Sequence, residues 1–186
     1  MAPDATHFDQ AIEAVLEHEG FGRLSDHPAD PGGLTKWGIS LRLLGTLGAK
    51  GHMWGDIDGD GDIDGDDVRN LTRAQAERLY YEVFWEPYRY SRFHSGRLAT
   101  KVFDLTVNMG PKSSHLCLQR ASRACGRRLN EDGILGPATR AAVNAHAPDP
   151  LIAALRSEAA GFYRRLVERD PLRRPFLKGW LNRAYG

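Results

Sequence analysis

Thr6-His7-Phe8-Asp9-Gln10-Ala11-Ile12-Glu13-Ala14-Val15-Leu16-Glu17-His18-Glu19-Gly20-Phe21-Gly22 reads as one amphipathic helix that carries a carboxylate into a glycine turn. Thr6 with Asp9 three residues on is a variant capping box. Phe8, Ile12, Val15, Leu16 and Glu19 recur at the spacing of a single helical face, and Gly20 and Gly22 are stop signals. Glu19 therefore closes an apolar stripe. Apolar surroundings penalise an ionised carboxylate, and glycoside hydrolysis needs a carboxylic acid that keeps its proton until the leaving oxygen requires it. A glutamate at a helix end is more often a solvent-facing residue, so the stripe alone leaves both readings open.

Outward from that helix, residues 23–39 are rich in Pro and Gly and end in Thr35-Lys36-Trp37-Gly38-Ile39, the composition of an ordered loop or short hairpin. A short helix is expected from Ser40, weakened by Gly45, Gly48 and Gly51. Thr72 and Gln75 form a second capping box before Leu79, Tyr80, Val83 and Phe84. Further helices are expected over 97–109, 112–126, 137–145 and 149–168, and no alternating strand pattern of any length occurs. The fold class that follows is mainly α, with 186 residues in a single domain. Cys117 and Cys125 stand eight residues apart on one expected helix, about 12 Å along its axis, so they are expected to be free thiols.

The formal charge of +1 conceals an asymmetry: residues 1–67 carry 4 Lys/Arg against 14 Asp/Glu, and residues 68–186 carry 21 against 10. Much of the acid lies in residues 56–67, Asp-Ile-Asp-Gly-Asp-Gly-Asp-Ile-Asp-Gly-Asp-Asp. Against the twelve-residue calcium loop, Asp56, Asp58 and Asp60 take positions 1, 3 and 5, and Gly61 takes the sharp turn at 6. Asp62 offers a backbone carbonyl at 7, Ile63 is the apolar residue at 8, Asp64 falls at 9 and Asp67 closes at 12. Position 12 is one methylene shorter than the usual Glu, and Gly51-His52-Met53-Trp54-Gly55 makes a poor incoming helix. The expectation is a structural EF-hand-type loop holding Ca2+, built into a larger fold. No organic cofactor is expected.

The stretch Glu19-Gly20-Phe21, followed by Asp26-His27-Pro28-Ala29-Asp30-Pro31-Gly32-Gly33-Leu34-Thr35-Lys36-Trp37-Gly38-Ile39-Ser40, resembles the signature of glycoside hydrolase family 108. These are lysozyme-like N-acetylmuramidases, many of them phage endolysins. The resemblance continues through Leu71-Thr72-Arg73-Ala74-Gln75-Ala76, Tyr80-Tyr81 and Val102–Pro111. Leu118-Gln119-Arg120-Ala121 and Asp132–Thr139 look like the family's C-terminal peptidoglycan-binding segment. The resemblance implies a lysozyme-like fold, cleavage of the β-1,4 bond between N-acetylmuramic acid and N-acetylglucosamine, and Glu19 as general acid. It makes Asp30 and Thr35 candidates for orienting water or stabilising the transition state, with Asp26 and His27 in reserve. It places Asn108 near the substrate's N-acetyl group. Trp37, Trp54 and Trp85 are candidates for stacking on sugar rings, Trp37 foremost, although burial is the commoner fate of tryptophan.

Within the single domain the implied division is a catalytic part over 1–95, with the calcium loop 56–67, and a helical part over 96–186. The expected partner is the peptidoglycan glycan strand, bound by a monomer, with no role for nucleic acid. The basic C-terminal stretch, Arg164 to Arg183 interleaved with Phe162, Leu166, Phe176 and Trp180, suits an anionic wall or membrane surface. With no basic start followed by an apolar run at the N-terminus, the expectation is synthesis in the host cytoplasm and action in the periplasm after release through a holin-type pore. Two alternatives stand beside the muramidase: a lytic transglycosylase acting on the same bond, and a non-catalytic protein that binds peptidoglycan or calcium.

Overall fold

In the computed structural model, which describes residues 4–26 and 33–186 and gives residues 4–6 by backbone alone, the opening helix α1 runs Asp4–His18. It starts two residues before Thr6, so the expected Thr6 cap is an interior position. Nothing in Asp4-Ala5 opposes helix, and propensity carries the start back past it. Ala11, Ile12, Val15 and Leu16 are all buried, as the stripe requires.

A two-stranded antiparallel hairpin follows, β1 (Thr35–Lys36) and β2 (Ile39–Ser40), with Thr35 opposite Ser40. Ser40 then caps α2 (Leu41–Gly48) by accepting from the Leu43 amide. Gly45 lies inside this helix; burial of Leu44 and Leu47 outweighs its poor propensity. The acidic loop leads into α3 (Gly65–Asn70), and Thr72 and Gln75 form the expected reciprocal cap on α4 (Arg73–Tyr80). A π-helical turn, Tyr81–Trp85, and two 3-10 turns connect to the remaining helices.

Those are α5 (Gly96–Met109), α6 (Pro111–Ala124), α7 (Pro137–Asn144), α8 (Pro148–Arg169) and, after a 3-10 turn over Pro171–Phe176, α9 (Leu177–Tyr185). Nine α-helices and one hairpin among the described residues make the chain mainly helical. Proline at the first turn of α6, α7 and α8 fits the position where a missing amide costs nothing. Cys117 is buried and Cys125 half-buried, and both are free. No described helix is long and apolar enough to cross a membrane.

The chain divides into two compact units, Ile12–Val83 and Met1–Ala11 with Phe84–Gly186. In the larger unit α6 packs on α8 and α5, and α8 on α9. Trp85, fully buried, meets Phe8, Tyr90 and Phe103 edge-on. This removes Trp85 from the sugar-stacking candidates: its ring is core. Against α9, Lys101 donates to the backbone carbonyl of Arg183, whose guanidinium lies 3.7 Å from buried Asp104. Burial, with Arg156 and Arg183 nearby, pulls the Lys101 ammonium down to about 8 against the pull of Asp104.

Candidate active site

Glu19 continues α1 by one residue, its amide donating to the Val15 carbonyl at 3.0 Å, and its side chain is half-buried. The backbone then passes through three consecutive left-handed residues, Gly20, Phe21 and Gly22, with φ of 78°, 49° and 79°. Phe21 is 57% exposed in that conformation. Such a backbone on a bulky residue is an outlier, and outliers of this kind gather at functional sites.

The hairpin comes back over this turn. Ser25 and Thr35 exchange backbone hydrogen bonds of 2.9 and 2.8 Å, so the strand after Glu19 is tied to β1. The Thr35 hydroxyl donates to the Gly33 carbonyl at 3.0 Å and keeps its lone pairs for another partner. At the hairpin tip Trp37 is also left-handed, with φ of 55°, and its indole covers Gly22, where a Cβ would meet the ring at 2.4 Å.

Gly38, with φ of 75°, is wedged between two functional groups: a Cβ there would lie 2.6 Å from Glu19 Cγ and 2.4 Å from the Tyr80 hydroxyl. Tyr80, buried at the end of α4, donates to the Trp37 carbonyl at 3.0 Å. The chain thus joins Glu19, the Trp37-Gly38 tip and Tyr80 in one packed group.

Of the expected residues, Glu19, Thr35 and Trp37 share the Ile12–Val83 unit. Asp30 and His27 lie outside the described residues. Trp54 is 6% exposed, its indole N–H donating to Glu82 at 2.8 Å with Arg78 5.5 Å above the ring, so it is held inward rather than offered to a ligand. The Trp54 and Arg78 bonds hold the Glu82 carboxyl below its ordinary range. Asn108 belongs to the other unit, exposed near the end of α5, where its side-chain oxygen accepts from Tyr163 at 2.7 Å. Periodicity misses Gly38, Phe21 and Tyr80. Tyr80 falls into the apolar set of its helix, and only the crowding of Trp37-Gly38 behind Glu19-Gly20-Phe21-Gly22 hints that the glycines are spacers.

The acidic loop is a second group of the same unit. Asp56 accepts from the Gly59 and Gly61 amides at 2.6 and 3.0 Å, and Asp60 from the Asp62 amide at 3.1 Å. Gly61, with φ of 98°, makes the turn expected at position 6. Asp67 is 1% exposed; it receives the Ile57 amide at 2.6 Å and the Asp64 amide at 2.7 Å, and so closes the loop while completing the cap of α3. Carboxylate oxygens of Asp56, Asp58 and Asp60 gather within 4.8 Å of one another, as do those of Asp62, Asp64 and Asp67. Repulsion raises the Asp62 carboxyl, from Asp60 first, then with some burial and from Asp64, Asp67 and Asp58. A run of hard oxygen donors curled by its own amides fits a hard divalent cation.

Residues 12–110 match the family described as glycosyl hydrolase 108, and residues 113–185 match one described as a predicted peptidoglycan domain. The solved structure of Brucella abortus SagA superposes with a TM-score of 0.73 at 26% identity, over 96% of this chain and 89% of that one. No curated protein matches the chain.

Proposed function

This chain belongs to the glycosyl hydrolase 108 family, a glycoside hydrolase acting on peptidoglycan, and we propose that it is a muramidase with Glu19 as its general acid. The observation that carries the proposal is the packing of Glu19 against Gly38 under the Tyr80 hydroxyl, inside the segment that the family match spans. Glu19 protonates the oxygen leaving N-acetylmuramic acid as the β-1,4 bond to N-acetylglucosamine breaks and positive charge develops on the ring. Thr35 and Asp30 orient the attacking water or offset that charge. Trp37 holds a sugar ring.

Digested peptidoglycan, reduced with borohydride and read by mass spectrometry, tests the reaction. Reduced N-acetylmuramic acid ends are expected. Reduced N-acetylglucosamine ends would make the enzyme a glucosaminidase, and 1,6-anhydro ends a lytic transglycosylase.

In the same reading, Asp56, Asp58, Asp60 and Asp67 hold one calcium ion with the Asp62 carbonyl, and the ion neutralises carboxylates that otherwise repel. The amide-curled loop and the buried Asp67 support this. Calorimetry on chelated protein should show about one ion bound per chain with a raised melting temperature; no heat and no stabilisation would reject the site. The biological setting we propose is an endolysin released to the periplasm through a holin-type pore. Expression in a Gram-negative host should lyse cells with such a pore and not without it.

A further inference from the structure

From the C-terminal helices we propose a second surface, separate from the hydrolytic one: a docking face for an anionic phospholipid bilayer, centred on the turn Pro171–Phe176. Between residues 161 and 186 the chain carries seven basic side chains against two acidic ones. Arg183 leaves this set because it is buried beside Asp104, but the other six are exposed. Arg164 and Arg174 reach a cleft of about 360 Å³ whose other walls are Val167, Pro171, Leu177 and Glu168, so two guanidiniums face one carboxylate over an apolar floor. Arg164 also donates to the Tyr185 hydroxyl at 3.2 Å, and Arg173 pairs with Asp170 at 2.8 Å, which sets the directions of both side chains.

Above the cleft the turn holds apolar groups out in water. Leu172 is 87% exposed and Phe176 is 49% exposed. Pro171 and Pro175 stiffen the turn, and Phe176 is stacked on Trp180 at 5.7 Å, which in turn stacks on Tyr163 at 5.3 Å. Little ordering remains to be done on contact. The structure thereby corrects the apolar set read from the sequence: Phe162, Leu166 and Trp180 are partly covered, and the protruding residues are Leu172 and Phe176.

The charge and the shape together select the occupant. Guanidiniums match phosphate in geometry and sign, which a glycan strand satisfies only through scattered carboxylates. An almost bare leucine gains nothing from a hydrated polysaccharide, yet it gains its full burial at the acyl boundary of a bilayer. Basic residues near an anionic membrane each strengthen binding by about fivefold.

The test is co-sedimentation of the full chain with vesicles of phosphatidylglycerol and phosphatidylethanolamine, and with phosphatidylcholine alone, in parallel with purified sacculi. Among the vesicles, binding to the anionic ones and not to phosphatidylcholine is expected, weakening as salt rises. Leu172→Asp should weaken it by about tenfold, and Arg164→Gln with Arg174→Gln by about thirtyfold. Melting temperature should be little changed in both variants, since all three positions are exposed. Absent binding to anionic vesicles, or binding that neither variant alters, would overturn the proposal. So would variants that lose sacculus binding while keeping vesicle binding, which would assign the face to the wall polymer.

Discussion

The two compact units use their polar groups in opposite ways. In Ile12–Val83 the chemistry-bearing residues sit in turns: two of the three described non-glycine residues with positive φ, Phe21 and Trp37, flank Glu19, and the acidic loop is held largely by hydrogen bonds to its own amides. In the other unit a set of polar groups is buried within helices and satisfies itself. The Tyr90 hydroxyl lies 2.6 Å from Thr106 and 2.8 Å from His115 Nε2. Gln119 ties down the Asp132-Gly133 turn from both ends of its amide. Strain is stored where reaction is proposed, and cross-linking where the fold must be rigid.

The sharpest way to break this contrast is Glu19→Gln. Activity on sacculi should fall by roughly 10²–10⁴-fold with the melting temperature unmoved; retained lysis would remove Glu19 from catalysis. In the other unit, Trp85→Ala should do the reverse, costing about 3–5 kcal/mol in chemical denaturation because its ring contacts Phe8, Tyr90 and Phe103. A loss under 1 kcal/mol would show that this aromatic cluster is not the anchor described.

Gly38→Ala joins the two kinds of effect. Its new methyl meets Glu19 and the Tyr80 hydroxyl on a backbone that favours glycine, so a stability loss of about 1–3 kcal/mol should accompany a lowered kcat on solubilised glycan. Unchanged kcat would mean that Glu19 tolerates displacement.

A further effect, spread over pH, is the most gradual. Burial pulls His115 down to about 4 from an ordinary 6.5, and its Nδ1 faces the Gly133 carbonyl, so the ring is neutral and Nε2 accepts from Tyr90. Between those two values the unfolded chain binds the proton and the folded one does not. Stability therefore falls as pH drops from about 6.5 to 4, by up to about 1.4 kcal/mol per pH unit. His115→Gln should flatten that slope in urea titrations at pH 4.5, 5.5 and 6.5; an unaltered slope would exclude His115 as its source.

Much of the helical scaffold was legible because long segments declare themselves through period and punctuation. The expected helices over 97–109 and 149–168 stand as Gly96–Met109 and Pro148–Arg169. The helix α9 was not, since Leu177, Trp180 and Leu181 sit among too many basic and glycine residues for a clean stripe, and its seat depends on Lys101 and Asp104 far upstream. The turn chemistry around Glu19 was half legible. Glycine spacing announced turns there, but period carries no information about Tyr80 reaching the Trp37 carbonyl from 43 residues away.

The close fit of Trp37 over Gly22, and of Gly38 between Glu19 and Tyr80, has a genetic consequence. Every amino acid reachable from a glycine codon by one base change carries a Cβ, and at these two positions that atom would fall within 2.6 Å of a neighbour. In a saturation scan of lysis, a surface loop ordinarily accepts most substitutions. This one should show two codons where only synonymous changes survive.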